Sequence, residues 1–179
     1  QIRNCRSCLL GKSHTGRRAG LWQQGEKPAE IRDTWHIDHA GPLVKSHGCT
    51  QILVIIDAFS KYCWLCPIKR KTTEATMTAL NEIFMAFGTP RRIIADRATA
   101  FTSTTFKNFL DDQKVELHHI ATGMPRGNGQ VERLMRTVFN LLRSTLTDKN
   151  ETQWVTALKQ IEGNENATIS KTTAFRSRS

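Results

Sequence analysis

The sequence predicts an α/β fold, a mixed sheet flanked by helices, and three observations carry that reading. Strand-forming runs crowd into residues 31–70, apolar spacing switches to a helical period over 72–87, and strand and helix patterns alternate from there onward. Residues 34–38 (Thr-Trp-His-Ile-Asp) form the first expected strand, ended by Gly41-Pro42. A second spans 51–57 and a third 62–69, with the short 58–61 turn between them. Over 72–87, Ala75, Ala79, Ile83 and Phe87 share a helical face beside Leu80 and Phe84, and Gly88-Thr89-Pro90 stops the helix. Residues 92–95 read as a short buried strand ending at Asp96. A helix follows over 103–112, with Ser103 placed to cap the free N–H groups of its first turn. Residues 115–120 make a fifth strand, and Gly123, Pro125, Gly127 and Gly129 make 121–129 a loop. Val131, Leu134, Met135, Val138, Leu141 and Leu142 then mark a strongly amphipathic helix, and a further helix is expected around Trp154.

Composition bounds the partners. Hydrophobic residues make up 39% and charged residues 23%, a balance that supports a packed core and argues against disorder. The longest apolar run, 52–56, is far too short to span a bilayer, so no membrane partner is expected. Lys and Arg outnumber Asp and Glu by 26 to 16, a net charge of +10 that favours a polyanionic partner, most simply nucleic acid. The chain opens on Gln1 with no leader-like segment, which suggests a piece of a longer polypeptide. Its five cysteines, an odd number, point to reduced thiols in an intracellular compartment.

Three carboxylates occupy informative places. Asp38 closes the first expected strand, Asp96 closes the fourth, and Glu132 lies one turn into the helix after the glycine loop, with 35 residues between it and Asp96. Strand ends and helix starts gather at one edge of such a sheet, where distant side chains converge. Carboxylate oxygens suit Mg²⁺ or Mn²⁺, and two such ions clamp the attacking and leaving oxygens of an in-line phosphoryl displacement. Each residue also has a plain reading: an Asp at a strand end as a solvated cap, Glu132 with Arg136 as a surface i,i+4 pair, Arg133, Arg136 and Arg143 as a solvated helix face. His36 and His39 flank Asp38, and a lone histidine is more often structural than a ligand.

Four segments in order resemble the integrase core of gypsy-type LTR retrotransposons and retroviruses. They are 36–43 (HIDHAGPL) around the first aspartate, 52–62 (ILVIIDAFSKY) for the second strand and turn, 94–101 (IADRATAF) around the second aspartate, and 125–133 (PRGNGQVER) for the loop and helix start. The resemblance runs from Cys5 to about residue 175 and includes a D-D-35-E spacing. It implies a ribonuclease H-like sheet over 31–175 with Asp38, Asp96 and Glu132 as a catalytic, metal-binding triad for two Mg²⁺ or Mn²⁺ ions. It also implies two reactions at one site: water trims the element's DNA ends, and the freed 3′-hydroxyl attacks target DNA. Asn128 matches a loop position that approaches the DNA end in relatives, and Arg126, Arg133 and Arg136 are the accompanying candidates for DNA contact. Asp57 falls outside the triad of the pattern and reads as a turn residue. The partners implied are element-end and target DNA and further copies of the chain, in the nucleus or in virus-like particles before nuclear entry.

The resemblance also gives the N-terminus a meaning. Cys5 and Cys8 have zinc-ligand spacing, but two ligands do not make a closed zinc site. In the family an upstream His pair completes it, so 1–20 reads as the C-terminal remnant of an HHCC module that takes Zn²⁺ only with that pair, and 21–30 as a linker. Cys63 and Cys66 have the spacing of a redox motif, yet they lie inside a strand-like run, which makes them buried thiols. Ala98 stands where the family usually has Gly and is expected to strain the turn after Asp96; Ala174 replaces another Gly. Those two differences keep a rival reading open, a catalytically silent, integrase-derived nucleic-acid-binding module. A different ribonuclease H-like nuclease is a third, less suited to a Glu placed after a glycine loop.

Overall fold

The structure is a computed structural model that describes residues 30–120, 129–145 and 151–176. Five strands form one sheet: β1 Thr34–Ala40, β2 Gln51–Asp57, β3 Cys63–Ile68, β4 Arg92–Ala95 and β5 Glu116–His119. Their order is β3-β2-β1-β4-β5, with β3–β2 and β2–β1 antiparallel and β1–β4 and β4–β5 parallel. The helices are α1 Thr73–Phe87, α2 Thr99–Thr102, α3 Thr104–Asp112, α4 Gly129–Thr145 and α5 Trp154–Arg176, the last preceded by a 3-10 turn. None of the described helices is long and apolar enough to cross a membrane.

The sheet has two covered faces, and strand alternation assigns each side chain to one of them. On β2, Leu53 and Ile55 join Trp35, Ile37 and the α1–α3 residues Leu80, Phe84, Phe101 and Phe106 in one cluster. Ile52, Val54 and Ile56 point the other way, onto Val131, Leu134 and Val138 of α4 and Trp154 and Leu158 of α5. A strand buried on both faces reads as the continuous apolar run of 52–56.

The expected elements recur with shifted ends. Strand 62–69 is trimmed to Cys63–Ile68 and 115–120 to Glu116–His119, while α1 starts at a Thr72 cap and ends at Gly88 (φ 84°) as the Gly-Thr-Pro signal implies. Ser103 caps α3 by accepting from the Phe106 N–H at 3.2 Å. β1, however, does not stop at Asp38. Pairing with β2 continues through His39↔Leu53 and Ala40↔Ile52, so Asp38 sits inside the strand. The short α2 lies where the sequence predicts no element, and α5 extends far beyond Trp154 despite Gly163, Asn164, Asn166 and Thr168, poor helix formers.

Tertiary contacts explain that length. β3 is an edge strand, and its outward backbone groups are met by side chains of α5. Asn166 accepts from the Cys63 N–H at 2.8 Å and donates Nδ2–H to the Cys63 carbonyl at 2.9 Å. Glu162 accepts from the Leu65 N–H at 2.5 Å. The helix thus covers an edge that would otherwise offer itself for strand pairing.

Candidate active site

Asp38 is paired with Val54, a member of the cluster beneath α4 and α5, so its half-buried carboxylate emerges on the α4 side of the sheet. The β1–β4 register runs Thr34↔Arg92, Trp35↔Ile93, His36↔Ile94. Continued by two residues, it brings Asp38 level with Asp96. Ile93 and Ala95 belong to the opposite cluster, so Asp96, one residue past the end of β4, shares the side that Asp38 faces. Neighbouring strands lie about 4.8 Å apart, close enough for the two carboxylates to share one volume. Glu132 enters from above in the first turn of α4, where an acidic side chain also suits the helix dipole.

Local hydrogen bonds orient each aspartate. The His39 backbone N–H donates to Asp38 Oδ1 at 2.7 Å. The Ala98 N–H donates to Asp96 Oδ1 at 2.9 Å, an Asx turn that leads the chain into α2. The Asp96 carbonyl accepts from Nδ1 of His119 on β5 at 3.0 Å, which assigns that ring its Nδ1–H form. Ala98 has φ −61° and ψ 146°, ordinary extended backbone. The expected strain is therefore absent: an Asx turn needs no positive φ, and a Cβ is accommodated without cost.

The site is electrostatically unbalanced. Burial raises the Asp38 carboxyl from 3.8 to about 6; the charges of Asp96 and Glu132 push the same way, while the His39 N–H and the Lys71 ammonium oppose them. Asp96, Glu132 and Lys71 thus all stand near enough to act on one carboxylate. Among the described residues no three His, Cys, Asp or Glu side chains are gathered as a ready-made metal cage. Unneutralised carboxylates repel one another, and a divalent cation would relieve the repulsion that adds to the effect of burial on Asp38. Hard oxygen donors and a surplus of negative charge are the chemistry that Mg²⁺ or Mn²⁺ requires, so the donor set fits such an ion.

The other expected residues divide clearly. Arg133 and Arg136 are exposed on α4, and Arg133 lies near enough to Lys61 for their charges to interact. Lys71, exposed at the start of α1 and within 3.4 Å of the Gly41 carbonyl through Nζ, is a cation beside the carboxylates that sequence reasoning missed. Its signal was only a basic residue in Lys69-Arg70-Lys71, indistinguishable from solvated charge. Arg126, Asn128, Cys5 and Cys8 lie outside the described residues, as do 1–20 and all but the last residue of the 21–30 linker.

Asp57 is more than a turn residue. It is fully buried and accepts from Arg32 N–H (2.8 Å) and Trp35 Nε1–H (3.1 Å) through Oδ2, and from Phe59 N–H, Ser60 N–H and Ser60 Oγ–H through Oδ1. Cys63 and Cys66 lie in β3 as expected, and burial followed by the charge of Glu162 raises both thiols to about 12. Thiolates are the reactive form, and the surroundings of both cysteines disfavour it.

Comparison with known proteins follows the same lines. Residues 29–125 match the family model described as integrase core domain. The chain is 32% identical over 148 residues to the Pro-Pol polyprotein of Simian foamy virus type 3 (strain LK3), covering 83% of this chain and 13% of that one. It is 30% identical over 174 residues to the Transposon Tf2-3 polyprotein of Schizosaccharomyces pombe, covering 96% of this chain and again 13% of the relative. The sequence thus spans only a small part of the polyproteins it resembles. Its fold matches the HTLV-2 integrase catalytic core domain in complex with magnesium, trimeric form, at a TM-score of 0.60 and 23% identity, over 73% of this chain and 82% of that one.

Proposed function

The chain belongs to the integrase core domain family, and on that premise we propose that it is the catalytic core of a retroviral-type integrase, trimming the 3′ ends of an element's DNA and joining them to target DNA. One observation carries the reading to these residues: the β1–β4 register, continued one residue past the end of β4, sets Asp96 beside Asp38, and Glu132 acts on the same carboxylate from α4. These three side chains would hold Mg²⁺ or Mn²⁺. When bound, two such ions supply charge stabilisation for the attacking and leaving oxygens of an in-line displacement. That an HTLV-2 integrase core was solved with magnesium supports the choice of ion.

The chain's own residues do the rest. The His39 and Ala98 backbone N–H groups each hold one carboxylate oxygen of Asp38 and Asp96, and the other oxygen of each has no hydrogen-bond partner among the described residues. Lys71, whose charge acts on Asp38, supplies positive charge beside the carboxylates, and the exposed Arg133 and Arg136 on α4, with Lys61 near Arg133, extend it for the DNA backbone. Asn128 is assigned to the DNA end, and Arg126 to DNA contact, by the same proposal. In trimming, water attacks phosphorus and a 3′ oxygen leaves; in joining, the freed 3′-hydroxyl attacks a target phosphorus and a target 3′ oxygen leaves. Element and target DNA and further copies of this chain are the partners, and the nucleus is where the joining takes place. Cys5 and Cys8 hold Zn²⁺ only together with an upstream His pair.

The test is end trimming and strand transfer by the parent protein on element-end duplexes with Mg²⁺ or Mn²⁺, alongside DNA binding at rising salt. Both reactions are expected, with affinity falling steeply as salt rises. A parent protein inert with both metals that still binds DNA would instead establish a silent nucleic-acid-binding module. The strain at Ala98 that favoured that alternative is not present.

A further inference from the structure

His39 faces away from Asp38 and into the opposite side of the sheet: it pairs with Leu53, a member of the α1–α3 cluster. Its ring is buried there and stacks on Phe101 of α2, centroids 4.5 Å apart and planes 6° from parallel. Nε2 lies 2.9 Å from Thr76 Oγ1 on α1. The Thr76 hydroxyl already donates to the Thr72 carbonyl at 2.8 Å, so it accepts from His39, and the ring carries its proton on Nε2. Nδ1 is then an acceptor, buried and without a hydrogen-bond partner among the described residues. A Phe here would stack as well and leave no polar atom unmet. The imidazole therefore adds only one thing that an apolar ring would not, the bond to Thr76.

That bond completes a frame around the carboxylates. The backbone of His39 holds Asp38 Oδ1, its ring leans on α2, the helix opened by the Asx turn of Asp96, and its Nε2–H reaches α1. The strand that bears the first aspartate is thereby tied to the helix that follows the second. We propose that His39, locked by Thr76 and Phe101, is a positioning residue that sets the separation of Asp38 from Asp96 and so the affinity of the site for a divalent cation. The inference rests on the metal-site reading of these aspartates given above.

The test uses the parent chain with His39→Phe, Thr76→Val and Thr76→Ser. Mn²⁺ binding is titrated by electron paramagnetic resonance, with melting temperature and DNA binding measured in parallel. His39→Phe keeps the stack and loses the bond; Thr76→Val is isosteric and also loses it; Thr76→Ser restores a hydroxyl. The first two should weaken Mn²⁺ binding about tenfold, the scale of lost outer-shell support at metal sites, with DNA binding nearly unchanged in both and melting nearly unchanged in His39→Phe; Thr76→Val, which leaves the buried His39 Nε2–H without an acceptor, should also melt somewhat lower. Thr76→Ser should bind as the unmutated protein does. Unmutated Mn²⁺ affinity in both His39→Phe and Thr76→Val overturns the proposal, as does a loss that merely tracks falling melting temperature. Should His39→Phe fail to fold, Thr76→Val alone decides. An unmutated parent that binds no Mn²⁺ removes the metal-site reading itself, and this inference with it.

Discussion

Replacing Asp38 with Asn should stabilise the metal-free protein at neutral pH. Asn is isosteric and keeps an oxygen to accept from the His39 N–H. What it removes is a charge that burial, Asp96 and Glu132 all disfavour. The folded-state carboxyl titrates near 6 against an ordinary 3.8, so the folded protein holds its proton more tightly than the unfolded chain. Stability from this group is present in full below the ordinary value and is lost as pH rises through about 6. A rise from 3.8 to about 6 corresponds to about 3 kcal/mol at most; because Asp38 is only half-buried, solvent screening brings this to about 1–2 kcal/mol. For a domain of this size that is a rise of about 3–6 °C in melting temperature. The assay is thermal unfolding of wild type and Asp38→Asn in chelator from pH 4 to pH 8. The gain should be largest above pH 6 and shrink toward zero by pH 4. A variant that melts lower than wild type at pH 7, or a gain unchanged at pH 4, would refute the electrostatic account of the site.

Asn166→Ala leaves the Cys63 N–H and carbonyl of the edge strand unpaired, at a cost of about 2 kcal/mol, read as a lower denaturant midpoint with strand transfer per folded molecule unchanged. Asp57→Asn would make a poor neutral control: one amide oxygen cannot accept from the five donors that two carboxylate oxygens now serve. It should cost about 3 kcal/mol or more and show as a large drop in melting temperature. Ala98→Gly relieves no strain and frees the unfolded chain, so it should lower stability by about 0.5–1 kcal/mol and leave strand transfer no faster than wild type.

What could be read in the sequence was local. The apolar run of 52–56 announces a strand covered on both faces, and the helical spacing of 72–87 between Thr72 and Gly88 announces α1 with both ends. Asp96 at the end of β4 and Glu132 in the first turn of α4 stand where periodicity puts them. What stayed hidden depends on partners distant in the chain. Asp57 looks like a turn aspartate until Trp35 and Arg32, more than twenty positions upstream, bring it their N–H groups. Asn166 sits among residues that weaken a helix, and only its bonds to Cys63, 103 positions away, explain its place in α5. Asp38 reads as a strand end because Gly41-Pro42 follows so closely, yet pairing with β2 carries the strand to Ala40. The role of His39 needs three elements at once, and no spacing within one segment encodes it. The convergence of Asp38 with Asp96 rests on a parallel register between strands separated by a helix and two other strands, a relation that family resemblance supplied and local pattern alone did not.

The measurement that tests the central claim most directly is strand transfer by the parent protein carrying Asp96→Asn, compared with wild type at matched DNA occupancy in Mg²⁺. Asp96 is exposed, and its Oδ1 bond to the Ala98 N–H survives in the amide, so folding and DNA binding should be retained. If Asp38, Asp96 and Glu132 act together on a divalent cation, the variant binds DNA and melts like wild type or slightly higher, and joins no ends. Near-normal joining by Asp96→Asn would contradict the account.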